Sequence, residues 1–145
     1  ENILTRQQSA MRRAGWVLIA TGILFAFAAL PMFHPLARYF LQIAYWPVHD
    51  VSHELTLPAP LLVAISGGLT AGLGGMVWAL GTHVAGTAPD AATKVTQTAA
   101  WCWFCTDSIA SILVGAPFNA VLNLSFLALM LLASKVRAGQ SAVVL

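Results

Sequence analysis

Few residues in this chain have the types and spacing to do chemistry. Asp107 is the most conspicuous, standing in the middle of AAWCWFCTDSIASILVGAP (residues 99–117), a stretch that is otherwise almost wholly apolar. A carboxylate there can bind a proton or a cation, or it can tie helices together through hydrogen bonds. On a helix, Trp103, Phe104, Ser111 and Gly115 share its face and Ser108 adjoins it, while Cys102 and Cys105 project to nearly the opposite side. CWFC therefore has the letters of a redox motif without the strand-to-helix setting, and reads as two buried, inert thiols. Beyond the GAP turn (115–117), Asn119 and Asn123 lie four apart on one helical face. If that face meets Asp107, the side chains of Asp107, Ser111, Asn119 and Asn123 form a buried polar site, to which Ser66 and Thr70 could add from an earlier segment. Glue and functional site fit Asp107 equally well, whereas glue alone accounts for the asparagines.

A second group is HDVSHE (49–54), where His49 and His53 share a helical face, with Glu54 beside them and His34 available as a third ligand. Such a set can hold zinc or copper. A metalloprotease HExxH has its glutamate between the histidines, however, and here Glu54 follows them. The plainer account is a helix start, with acids favoured by the dipole and histidines in a wet interface. His83 falls on the other side of the membrane, so no histidine pair is placed to bridge a haem.

The elements that must position these groups follow from composition. Apolar residues make up 59% of the 145 and charged residues only 8%, with seven basic and five acidic side chains. A soluble domain carries about a quarter charged residues because its surface faces water. Most of this surface must face lipid instead, and a net charge of +2, scattered along the chain, leaves no nucleic-acid footprint. A bilayer core needs about 20 apolar residues per crossing helix. Four segments meet or approach that length, at about 14–33, 60–81, 98–116 and 118–134. The predicted fold is all-α: a single domain forming an integral membrane four-helix bundle. The first apolar run is too long for an ordinary signal peptide and reads as a retained helix. Asp107, roughly nine residues in from Thr98, would sit near the midplane at about 1.5 Å per residue.

Between the first two spans, residues 34–59 should lie outside, with a short interfacial helix over about 35–45 that breaks before Pro47. HVAGTAPDAATKVTQ (83–97) reads as a loop on the opposite side. Six of the seven basic residues flank the spans on that side, with Arg38 the exception, which predicts cytoplasmic termini and suits a bacterial inner membrane. In the second span, Ala64, Gly68 and Gly72 follow small-xxx-small spacing, and Gly67, Ala71 and Gly75 repeat it one residue out of step. Such stripes let helices approach closely, and they predict that this span is the packing centre.

Three functions are compatible with these features. The first is a non-catalytic auxiliary or assembly subunit of a larger membrane complex, with lipid and other membrane subunits as its partners. The second is a small homo-oligomeric transporter or proton- or cation-binding protein using Asp107. The third is a metal-handling membrane protein using the external histidines.

Overall fold

The computed structural model describes residues 3–47 and 59–136. It is all-α and 88% helical, and no strand occurs among the described residues. Helix α1 spans Ile3–Ala28 and α2 spans His34–Ala44, with a 3-10 turn, Pro31–Phe33, between them. Helix α3 covers Ala59–Ala79 and continues into a π-helical turn, Leu80–Val84. Two further helices, α4 (Pro89–Leu113) and α5 (Pro117–Ser134), form an antiparallel pair. Among the described residues three helical stretches are long and apolar enough to cross a membrane, Arg6–Ala28, Ala59–Val84 and Pro117–Ser134; the third span predicted at about 98–116, within α4, is not one of them.

Several boundaries differ from the sequence reading for identifiable reasons. The first span stops at Ala28, short of Phe33, because Pro31 forces Leu30 into an extended conformation (φ −75°, ψ 142°). The segment 83–97 is not a loop: helix α4 begins at Pro89, eight residues before its predicted polar boundary ends. Proline at the first helical position, Asp90 in the first turn and two alanines after it are helix-starting signals that polarity had masked. The short helix predicted over about 35–45 appears as α2, amphipathic and ended at Tyr45 before Pro47.

The correction that matters most for packing is the centre of the bundle. It is α1 that packs against α3, α5 and α2, while α3 rests chiefly on α1. The α1–α3 seam is built on glycine. A Cβ added at Gly74 would lie 2.6 Å from the Ile19 nitrogen and 2.8 Å from the Gly15 carbonyl oxygen, and one at Gly67 would lie 2.6 Å from the Gly22 carbonyl oxygen. Gly15 and Gly22 on α1 thus face Gly74 and Gly67 on α3, with a seven-residue spacing on both sides. The π turn extends the series, placing Gly81 against Gln8 and Met11. Of the small residues singled out in the second span, Gly67 and Ala71 lie in this seam. Gly68, Gly72 and Gly75 do not: among the described residues a Cβ on any of them would meet nothing within 4 Å. Ala64, partly exposed, shares their side of the helix.

The apolar core lies toward the end that holds the start of α1 and the finish of α5. Met11, Ala14 and Leu18 meet Val77, Ala85, Ala92, Ala100, Leu127, Met130 and Ala133 there, all buried. Trp103 and Phe104 pack against this cluster from α4, on the face that also carries Asp107.

Candidate functional site

The α4–α5 hairpin owes its geometry to three residues. Gly115 has φ +83°, in the left-handed region that favours glycine. That conformation lets the Ala116 N–H donate to the Ser111 carbonyl (2.8 Å) and the Gly115 N–H to the Ile112 carbonyl (3.1 Å), the paired bonds of a Schellman cap. Pro117 then opens α5 at a position where a missing N–H costs nothing. Two helices joined this tightly must run antiparallel, with fixed register, and Asn119 and Asn123 are carried opposite Asp107.

The carboxylate oxygen Oδ2 of Asp107 accepts from two amides, Asn119 Nδ2 at 3.2 Å and Asn123 Nδ2 in a shorter contact. Asn119 Nδ2 also donates to Ser111 Oγ (2.9 Å), and Asn123 Nδ2 reaches Ser108 Oγ (3.3 Å). Asn123, Ser108 and Ser111 are buried, whereas Asp107 and Asn119 are half-buried. The arrangement gathers one carboxylate, two amides and two hydroxyls between two helices. Both asparagines turn their N–H donors toward the carboxylate and the serine hydroxyls, an arrangement that satisfies a charged carboxylate and holds the two helices together. Asp107 stands six residues before the end of α4, about 9 Å along the axis. It is nearer the hairpin tip than the midspan depth read from the sequence.

Ser66 and Thr70 do not join this site. Thr70 Oγ1 donates to the Ser66 carbonyl of its own helix at 2.8 Å, and the Ser66 side chain is exposed. Their helix is tethered to α1 through the glycine seam, not to the α4–α5 pair. For the metal set, His49, His53 and Glu54 lie outside the described residues. His34 is half-buried, with Nε2 3.3 Å from the Ala29 carbonyl oxygen just before it in the chain. Among the described residues no three His, Cys, Asp or Glu side chains come together. Cys102 and Cys105 are free thiols on the outside of α4, exposed where the sequence reading had them buried.

A second polar cluster was missed from the sequence. At the opposite end of the helices, Gln7 Nε2 donates to the Ser134 carbonyl (2.9 Å), to Thr93 Oγ1 (2.9 Å) and, more distantly, to the Pro89 carbonyl (3.3 Å). Thr93 Oγ1 itself lies 2.8 Å from the Ser134 carbonyl oxygen. Gln7 is only 5% exposed and ties α1, α4 and α5 together. The available signal was periodic: Gln7 continues the Met11, Ala14, Leu18 stripe toward the N-terminus, so an amide occupies a core position. Beside this knot an open cleft of about 450 Å³ is lined by Asp90, Thr93, Lys94, Gln97 and Lys135.

Comparison of the chain with protein-family models, with curated proteins and with solved structures returns no match.

Proposed function

We propose that this protein is a four-span integral membrane protein acting as a non-catalytic auxiliary or assembly subunit of a larger membrane complex. The fourth crossing is α4. Its 25 residues extend about 37 Å, more than a bilayer core, and its tight antiparallel pairing with the apolar α5 supports a crossing for α4 as well. Its polar first turns then project from the hydrocarbon. Arg6, Arg12, Arg13, Lys94 and Lys135 are all exposed at that end, and Arg38 is at the other, which supports cytoplasmic termini and an inner-membrane location.

The observation that carries the subunit reading is the second face of α3. One glycine face is filled by the backbone of α1, while Gly68, Gly72 and Gly75 leave open space beside the exposed Leu61, Ile65 and Leu69. Glycine facing lipid weakens a helix without packing against anything; glycine facing another helix permits close approach. The occupant is a helix of another subunit or of a second copy. The test is Gly72→Leu expressed in the native membrane and extracted gently. The variant chain has room for the side chain and should fold, but it should lose the stoichiometric partner that the unaltered protein brings with it. Retention of the partner at full stoichiometry refutes the reading.

A second reading rests on one specific observation, a carboxylate held half-buried between two helices, where part of it is still open to a proton or cation. In that reading the site binds a cation or proton during transport by a homo-oligomer. Asp107→Asn separates the two. As glue, the amide keeps most bonds and activity survives; as a binding site, the same change yields a folded, assembled, inactive protein.

A further inference from the structure

We propose that the cleft between the first turns of α4 and the end of α5 is a binding site for the phosphate of an anionic membrane lipid. Asp90, Thr93, Lys94 and Gln97 recur at three- and four-residue intervals, so they form one stripe along α4. Lys135, the first residue beyond α5, closes the other side. Two ammonium groups against one carboxylate leave the lining with a net positive charge. The cleft is open, with a volume of about 450 Å³, so a phosphate group can enter it between the two lysines.

The cleft is also rigid where it needs to be. Thr93 Oγ1 is committed to the knot with Gln7 and the Ser134 carbonyl, so it acts as the floor and leaves ligand contacts to Lys94, Lys135 and the Gln97 amide. That knot fixes the separation of α4 from the residue before Lys135. A flexible ammonium on a fixed base is how lysine engages a phosphate as a point charge. Arg6, Arg12 and Arg13 are exposed at the same end and add a long-range attraction for anionic lipid. The location rests on the membrane reading above, which puts this end at the headgroup layer. An acyl chain of a lipid held here would run along the apolar surface of the helices below.

The experiment uses the full chain in dodecyl maltoside, with bound lipid counted by native mass spectrometry and thermal stability followed in parallel. Dioleoyl phosphatidylglycerol, dioleoyl phosphatidylcholine and inorganic phosphate are added separately. Phosphatidylglycerol should be retained and should raise the melting temperature, while phosphatidylcholine should do neither. At roughly fivefold per lysine, the double variant Lys94→Gln/Lys135→Gln should lose phosphatidylglycerol about 25-fold. Lys94→Arg/Lys135→Arg, which keeps the charge, should retain it and controls for folding. Arg12→Gln/Arg13→Gln should lose far less than the lysine pair. Equal retention of both lipids, or equal loss in the Lys94→Gln/Lys135→Gln and Arg12→Gln/Arg13→Gln variants, overturns the proposal. Stabilisation by inorganic phosphate as strong as that by phosphatidylglycerol overturns the lipid assignment. Carbonate extraction of the unaltered protein tests the membrane reading on its own, so failure of one is told apart from failure of the other.

Discussion

Gly74→Ala adds one methyl group and should open the α1–α3 seam. The new carbon would lie 2.6 Å from the Ile19 nitrogen and 2.8 Å from the Gly15 carbonyl oxygen, both backbone atoms that no rotamer change can move. Ordinary contacts sit at about 3.5–4.0 Å, so the helices must separate by about 1 Å. A gap of that size forfeits between a quarter and a half of each dispersion contact, and a seam comparable to one buried leucine holds about 40–60 contacts of about 0.15 kcal/mol. The loss comes to about 2–4 kcal/mol, reaching the upper end of the usual cost of overpacking a close-packed site. Gly72→Ala is the matched control. It has open space around it, so it should be neutral or gain slightly from alanine's better helix propensity. Reversible unfolding of the purified chain in mixed dodecyl maltoside and sodium dodecyl sulfate measures the difference. Trp16 and Trp78, edge to face with centroids 6.5 Å apart, report on the seam directly. A Gly74→Ala protein within 0.5 kcal/mol of the unaltered chain, or a Gly72→Ala protein equally damaged, would refute this account of the packing.

Three further outcomes follow from the same contacts. Asn123→Ala removes the buried amide that reaches both Asp107 and Ser108 and should cost about 1–2 kcal/mol in that unfolding assay, with Asn119→Ala, at a half-buried site, costing less. Thr96 is fully buried and its hydroxyl has no hydrogen-bond partner among the described residues, so Thr96→Val, which keeps the shape, should stabilise the protein by about 1 kcal/mol; a loss of stability would refute the absence of a partner. Cys102 and Cys105 lie on the outside of α4, and if that helix crosses the bilayer, a membrane-impermeant maleimide should spare them in intact membranes and label both after denaturation. Prompt labelling in the membrane would remove α4 from the spans.

The Asp107 cluster could be read from sequence because everything it needs is local. Helical periodicity places Ser111 with Asp107 and Asn119 with Asn123, and a three-residue turn leaves only one way for the two faces to meet. Ser66 and Thr70 required knowing which helix α3 packs against, and that depends on contacts distant in sequence. The glycine stripes show the same limit. Two small-residue faces of α3 look alike in isolation, and the one used within the chain is selected by its match to Gly15 and Gly22 on α1, a signal visible only when both helices are compared. Gln7 was hidden for another reason: an amide in a polar opening segment reads as surface until its partners on α4 and α5 are in place.

The seven-residue glycine period on both sides of the α1–α3 seam makes it a ruler with evenly spaced marks. Sliding α1 along α3 by one period, about 10 Å, would set Gly15 against Gly81 and Gly22 against Gly74, restoring two close approaches out of three. The seam therefore supplies affinity between the helices while leaving their alignment degenerate. The unique mark lies at its end, where Gln7 finds Thr93 and the Ser134 carbonyl in one alignment only. A slipped pair would leave that amide without its partners among buried apolar neighbours, at a cost of about 1–3 kcal/mol. Gln7 thus adds a polar stop to the register that Met11, Ala14 and Leu18 also hold against Val77, Leu127 and Met130, and its replacement by leucine would leave that register to apolar contacts alone.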